Sequence, residues 1–344
     1  MSDSHRLLVT GACGFIGANF VRRWLDTHDG IVVNLDALTY AGDPRRLAGI
    51  DGARYRFVEG DVVDTTLVGD LVREVRPDAV VHFAAESHVT RSENAANTFR
   101  RANVDGTRAL LDALLEVDPS IVVHISTDEV YGPCPGEPFR EDQKEPGEGK
   151  ATSPYARSKA LADDLARTYA DRLPLVVARP TNCFGPWQHP EKALSRWITR
   201  ALRGEQLPVW GDGGYIRDWL PVGDACAAVG LLLDRGEPGA VYNIGPNREP
   251  EITNVELARW LVAHVGLPDD AVVLTKYDRP DHDRRYAVDS TRLRALGWEP
   301  DADVWGRFAD AVAWYRDNTG WWEPLIDNAE SIYADRVELQ DVKR

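Results

Sequence analysis

Along the first half of the chain, short apolar runs alternate with amphipathic stretches. Residues 6–10 form an apolar run that ends at Gly11, and residues 15–27 then carry helical spacing. Residues 31–36 are a second apolar run closed by an acid, and 55–61 a third closed by Gly-Asp. Residues 65–76 read as a helix, 79–84 as a fourth strand, 98–117 as a long helix and 121–126 as a fifth strand. Residues 154–172 are helical and 175–178 supply a sixth strand. Nearly continuous apolar strands alternating with helices predict a parallel sheet covered on both faces. That is the α/β, doubly wound (Rossmann) pattern.

After about residue 180 the rhythm changes. Aromatics, prolines and arginines become denser, as loops that build sites require. Residues 224–233 and 240–244 read as a helix and strand that return to the main sheet. The expected organisation is a Rossmann domain over 1–180, with 224–245 returning to it. A smaller, mainly helical substrate lobe would use 181–223 and 246–325, with helices at 254–265 and 309–317. Residues 132–149 read as a long loop, and 326–344 as a loose polar tail.

Composition narrows the function classes. The chain has 344 residues, 43% hydrophobic and 28% charged, with a net charge of −15. An acidic surface repels phosphate backbones and anionic lipid, which argues against nucleic-acid or membrane binding. One small anionic substrate is still allowed, because it needs only a few local arginines. Cys13, Cys134, Cys183 and Cys226 are scattered and form no C-x-x-C pair. Neither a disulfide framework nor a metal site is expected, and a reducing cytoplasm fits. The N-terminus enters a strand without a signal-like segment, and no apolar run has the length of a bilayer span.

The first chemical feature is TGACGFIG at residues 10–17. Gly11, Gly14 and Gly17 lie between a strand and a helix, where the backbone must turn tightly and approach a pyrophosphate. The helix N-terminus adds free N–H groups and partial positive charge. Asp36 closes the second strand, about twenty residues on, where a carboxylate can accept from the adenosine ribose. It would repel a 2′-phosphate, so NAD is expected rather than NADP. Asp61, after the third strand, is a candidate for the adenine edge.

The second feature is Tyr155 and Lys159 in SPYARSKA. Four residues apart on a helix, they share a face. A free phenol, with pKa of about 10, is a poor base at neutral pH. A nearby ammonium and a cationic nicotinamide would lower it. Lys159 can also hold the nicotinamide ribose. Thr127, ending the fifth strand, would complete a trio around the reacting hydroxyl.

TGACGFIG, HFAAESHVTRS, STDEVYG, SPYARSKA, NCFGPWQHPEK, GDGGYIRDWL and DRPDHDRRYAVD occur in this order. Together they resemble the dTDP-glucose 4,6-dehydratase family of the extended short-chain dehydrogenase/reductases, over roughly residues 6–325. GWWEPL near the end resembles the bacterial members that serve deoxysugar pathways. The resemblance implies an NAD-dependent lyase acting on a nucleotide-diphosphate sugar, and a homodimer built through 98–117 and 154–172. Phe15, Ile16, Val62, Ala84 and Ala85 would join the cofactor contacts.

In that family an Asp-Glu pair follows the threonine, whereas epimerases usually carry small or hydroxyl residues there. By resemblance Asp128 is the acid and Glu129 the base. Oxidation at C4 acidifies the C5 proton; a base removes it while an acid expels the C6 hydroxyl as water. Adjacent carboxyls in a desolvated pocket can hold different protonation states. Arg217 and Arg284 are expected on the diphosphate. Ser87, Thr127, Asn182, Glu191, Lys192, Asn243 and Tyr286 match substrate-side positions.

The sequence departs from the family at several points. Thr90 stands for an aspartate, Cys183 and Phe184 for Asn and Tyr, and Asp281 for glycine within Pro280, Asp281, His282 and Asp283. Cys183 reads as a small buried residue rather than a nucleophile. These changes bear on substrate identity more than on reaction class. A UDP-sugar dehydratase, epimerase or decarboxylase is the enzymatic rival, and an NAD-binding regulator the non-catalytic one.

Overall fold

The computed structural model describes residues 5–276 and 283–333. The first part alternates as expected: β1 (His5–Thr10), α1 (Phe15–Thr27), β2 (Gly30–Asp36), β3 (Tyr55–Glu59), α2 (Thr65–Val75) and β4 (Ala79–His82). A helical rod follows, made of α3 (Val89–Ser92), α4 (Ala96–Arg100), a π-turn over Arg101–Asp105 and α5 (Gly106–Leu114). β5 (Ile121–Ile125), a 3-10 turn at Asp128–Tyr131, α6 (Pro154–Arg167) and β6 (Leu175–Pro180) complete this half.

Beyond it lie β7 (Cys183–Phe184), α7 (Ala193–Leu202), β8 (Leu207–Trp210), β9 (Leu220–Pro221), α8 (Val222–Arg235) and β10 (Val241–Ile244). Then come α9 (Asn254–Val265), β11 (Val272–Thr275), α10 (Thr291–Ala295), α11 (Val304–Asp317), α12 (Thr319–Trp322) and α13 (Ile326–Ser331).

Seven strands form the central sheet in the order β10-β6-β5-β4-β1-β2-β3, and all pairs are parallel. The connection reverses between β1 and β4, which opens a crevice at the carboxyl ends of the strands. Leu7, Val9, Val81, Val123 and Val176 face one packed layer with α1 and α8. Leu8, Val80, Val122 and Val177 face the other, with α2 and α5. Burial of such side chains stabilises by about 1.5–3 kcal/mol each. β10 joins β6 with Val241 opposite Val177, so 224–245 does return to the sheet.

A separate core of Phe184, Trp197, Leu257, Leu261, Phe308 and Tyr315 builds the second lobe. Two expected boundaries change. The segment carrying Leu293 and Trp298 packs on the sheet core rather than in the lobe, and the Trp298 indole N–H donates to Asp224 O at 3.1 Å. The tail is not loose where it is described. Ile326, Ala329 and Tyr333 recur on one face and are buried, and Glu330 pairs with Arg196 at 2.6 Å.

The helix expected over 98–117 is interrupted by the π-turn. There Asn103 accepts from Glu86 N at 2.8 Å and donates to Ser158 Oγ at 2.8 Å, tying the rod to α6. α6 itself starts sharply because Ser153 accepts from Ala156 N and Pro154 occupies the first turn.

Candidate active site

A cleft of about 440 Å³ lies between the carboxyl edge of the sheet and the second lobe. Gly11, Gly14, Phe15, Ile16 and Gly17 line it, as do Asp36, Asp61, Val62, Ala84 and Ala85. The glycines fit a dinucleotide cradle. Gly11 has φ +75°, and a Cβ there would sit 2.6 Å from Ala84 N. A Cβ on Gly17 would sit 2.6 Å from Gly11 O, so the helix could not close on the turn. Asp36 holds the turn in shape, accepting from Cys13 N at 2.8 Å and from Leu38 N at 2.9 Å. Burial raises its pKa, with these two N–H groups and Arg46 opposing.

At the end of β5, Thr127 places three functions in one turn. Its hydroxyl donates to Asp128 Oδ1 at 3.1 Å and accepts from Glu129 N at 3.3 Å. Thr127, Asp128 and Glu129 are buried and line the cleft. Burial, then the charge of Glu129, pushes Asp128 well above the usual carboxylate range. Its Oδ2 has no partner within the described protein.

Tyr155 and Lys159 also line the cleft. Lys159 Nζ donates to Ile125 O at 2.7 Å, and burial lowers its pKa to about 8 against the pull of Asp163. Here the balance of forces on the phenol differs from the sequence expectation. Burial, then Glu129, pushes Tyr155 up, and the leading opposition is its hydrogen bonding with Thr127 rather than the Lys159 ammonium. With Nζ committed to the Ile125 carbonyl, the protein alone keeps the phenol protonated.

On the lobe side, Ser87, Asn182, Glu191, Lys192, Arg217 and Tyr286 line the same cleft. Lys192 Nζ donates to Ser87 O at 2.9 Å, and Glu191 pairs with Arg91 at 3.0 Å. Arg217 stacks on Tyr286, 4.5 Å from the ring centroid, and donates to Asp283 O at 3.0 Å. Thr90 and Cys183 are lining residues too; burial raises the Cys183 thiol well above its ordinary value, which leaves it un-ionised. Pro280, Asp281 and His282 lie outside the described residues.

Two expected substrate residues are not among those lining the cleft. Asn243 is fully buried in the scaffold, accepting from Tyr131 Oη at 2.7 Å and donating to Phe139 O at 2.9 Å. Arg284 lies at the surface in a two-pronged pair with Asp212, at 2.7 and 2.8 Å.

Motif reading also missed residues in and beside the cleft. Arg91 stacks on Tyr40, 4.0 Å from its centroid, and Tyr333 donates to Glu191 O at 2.6 Å. Trp219 and Asn254 line the cleft with Nε1 and Oδ1 unpartnered within the described protein, as does Asn182 with Oδ1. Arg46 is 1% exposed and donates to Cys13 O at 2.6 Å, Ala41 O at 2.5 Å and Trp187 O at 3.1 Å, joining the glycine turn to the lobe. Arg91 lies inside the quoted HFAAESHVTRS run and could have been found there. Arg46 and Tyr333 carry no local signal.

Residues 7–245 match the NAD dependent epimerase/dehydratase family. The chain is 48% identical over 298 residues to the low-salt glycan biosynthesis protein Agl12 of Haloferax volcanii, covering 86% of this chain and 93% of that one. It is 45% identical over 331 residues to a dTDP-glucose 4,6-dehydratase of Streptomyces niveus, covering 93% and 95%. Among solved structures, the dTDP-glucose 4,6-dehydratase DesIV of Streptomyces venezuelae, with NAD bound, superposes with a TM-score of 0.87 at 42% identity, covering 93% and 99%. The chain belongs to the NAD dependent epimerase/dehydratase family.

Proposed function

We propose that the protein is an NAD-dependent hydro-lyase that converts dTDP-glucose to dTDP-4-keto-6-deoxyglucose. One observation carries the reading: two adjacent carboxyls, Asp128 and Glu129, are buried in the same cleft as Tyr155 and Lys159, and burial, then the charge of Glu129, pushes Asp128 well above the usual carboxylate range. Epimerisation needs no such acid beside the phenol; loss of water does. The Streptomyces niveus relative and DesIV, both named for this reaction, support it.

Gly11, Gly14, Gly17 and Asp36 would hold NAD, with Phe15, Ile16, Asp61, Val62, Ala84 and Ala85 around it. Bound there, NAD supplies the hydride acceptor for C4 and the donor for C6. Tyr155, neutral in the protein alone, would become the base once a bound cationic nicotinamide and the charge of Lys159 favour its phenolate, and would then take the proton of the C4 hydroxyl, oriented by Thr127. Glu129 then removes the proton from C5. Asp128 passes its proton to the C6 hydroxyl, which leaves as water. Burial of both carboxyls suits this division, since a desolvated pair does not ionise twice. Arg217, Lys192 and Asn182 supply cation and amide contacts for the nucleotide diphosphate, with Ser87, Glu191 and Tyr286 beside them.

The protein is further proposed to be a cytoplasmic homodimer, assembled through the rod around α5 and through α6. The scattered cysteines favour a reducing compartment. Among the described residues no helix is long and apolar enough to cross a membrane.

Incubation of the purified holoenzyme with dTDP-glucose and with UDP-glucose, followed by mass spectrometry, tests the reading. Loss of one water from the dTDP-sugar is expected. A product of unchanged mass would point to epimerisation and remove the dehydratase assignment.

A further inference from the structure

Behind the cleft runs a fully buried polar chain. Asp163 follows Lys159 by one turn of α6 and shares its face. Asp163 is 0% exposed and Lys159 4%. Arg179, on β6 and 0% exposed, grips Asp163 with both arms: Nε donates to Oδ2 at 2.9 Å and Nη2 to Oδ1 at 2.8 Å. Its remaining arm donates to Tyr131 Oη at 2.6 Å and Glu141 O at 3.0 Å. Tyr131 in turn donates to Asn243 Oδ1 at 2.7 Å, and Asn243 Nδ2 bonds Phe139 O and Asp289 O. The chain therefore links α6, β6, β10 and the turn that carries Asp128 and Glu129.

Burial of such a pair has a cost. An apolar replacement of similar volume is often as stable as a buried ion pair, so stability alone is a weak reason for its presence. The surroundings of Lys159 supply a better one. Its Nζ bonds a neutral carbonyl, Ile125 O. His82 from β4 and His124 from β5 face it, and burial keeps both neutral. Tyr155, from its own helix, is a neutral phenol. Asp163 is the carboxylate that opposes desolvation of the ammonium. Arg179 keeps Asp163 ionised by its two-pronged pairing.

We propose that Asp163 is a positioning residue that holds the Lys159 ammonium for the reacting phenol, and that Arg179, Tyr131 and Asn243 lock Asp163 to the acid-bearing turn. The proposal rests on the reading of Lys159 as the cation beside Tyr155. It assigns Asn243 and Tyr131 a place in the machinery that does not require contact with substrate. Asp163 acts through charge; Tyr131 and Asn243 act through geometry.

The chain contains only six lysines, so their side-chain amines can be followed individually by NMR. The test is a pH titration of the NAD-loaded holoenzyme with isotope-labelled lysines, the Lys159 signal being assigned by its loss in K159R. In the unaltered protein burial should hold the Lys159 midpoint below the ordinary lysine value. In D163N its midpoint should fall by about one pH unit or more, the size of shift an adjacent opposite charge produces. If D163N does not fold, D163N/R179Q removes both charges together, and a fall in the same direction but smaller is expected, because loss of the Arg179 cation offsets part of the loss of the carboxylate. Y131F keeps the ion pair and should leave the midpoint in place. An unmoved midpoint in a folded D163N or D163N/R179Q protein overturns the proposal, and so does a Y131F shift as large as that of D163N. The measurement needs no substrate, so a failed dehydratase assay and a failed titration are separate results.

Discussion

The carboxylate of Asp36 accepts the backbone N–H of Cys13 at 2.8 Å, so the end of β2 holds the glycine turn that follows β1. The same carboxylate accepts from Leu38 N at 2.9 Å and borders the cleft. Removal of it should therefore loosen the cradle as well as delete a ribose contact. Hydrogen bonds to charged groups contribute about 1.5–3 kcal/mol. Asp36→Ala should weaken NAD binding by roughly ten- to a hundredfold on that scale. Cofactor titration by fluorescence of the stripped protein checks this; unchanged affinity would remove Asp36 from the site.

The turn makes a second, purely steric prediction. A methyl group at residue 17 would press on Gly11 O and on Ala12 Cα, 2.6 and 2.8 Å away. Both are backbone atoms, so the helix must shift. Gly17→Ala should cost about 1–3 kcal/mol, read as a lower midpoint in urea unfolding, and the variant should retain little NAD after purification.

Asp128 and Glu129 should separate the half-reactions. Asp128→Asn leaves the base in place but no proton for the departing hydroxyl. It should oxidise C4 and exchange the C5 proton with solvent deuterium, with water loss slowed by about 10²–10⁴-fold. Glu129→Gln should reduce NAD transiently and exchange no C5 deuterium. Mass spectrometry of recovered sugar nucleotide in heavy water distinguishes the two; equal exchange in both variants would mean that the roles are wrongly divided.

His124 offers a test of stability against pH. Its two ring nitrogens have no partner within the described protein, and burial holds its pKa well below the ordinary histidine value. The unfolded chain takes up a proton below about pH 6.5, and the folded protein does not. No proton-linked cost arises at higher pH, and stability is lost as pH falls through the unfolded value. His124→Leu lacks this liability. Relative to the unaltered protein, the variant should gain about 2 kcal/mol between pH 7 and pH 5. Denaturant unfolding at the two pH values measures that gain, and a constant difference would show that His124 protonates in place.

Tyr333 connects the C-terminal segment to the substrate side. Its hydroxyl bonds Glu191 O and its ring lies under the Arg196 guanidinium, 4.0 Å from the centroid. Truncation after Ser331 should raise KM for the sugar nucleotide several-fold and leave NAD binding unaltered. Equal loss of both would indicate a general collapse.

Much of this was legible in the order of residues. Strands buried on both faces are nearly continuous apolar runs, so the sheet and α1 emerged with their bounds almost intact. Motif context led to the glycine turn, Asp36, Thr127, Tyr155 and Lys159, all of which border one cleft. What failed did so for physical reasons. Asn243 sits at a family position, but its amide bonds the scaffold behind the sheet. Arg284 is paired with Asp212 at the surface. Polar composition hid the spacing of Ile326, Ala329 and Tyr333, and the ion pairs of Glu330 tie the segment down. Long-range bonds such as those of Arg46 have no local signature at all.

The π-turn at Arg101–Asp105 has its own effect on what the chain can become. An α-helix advances about 100° per residue, so one surplus residue acts as a phase shift within an otherwise continuous rod. Before it, Phe99 turns toward Tyr155, with ring centroids 6.4 Å apart. After it, Leu110, Leu111 and Leu114 turn toward the sheet. Excision of a single residue would wind the rod regular and swing Phe99 out from beside the phenol. The segment can exchange side chains freely on its wet side, but its length is fixed.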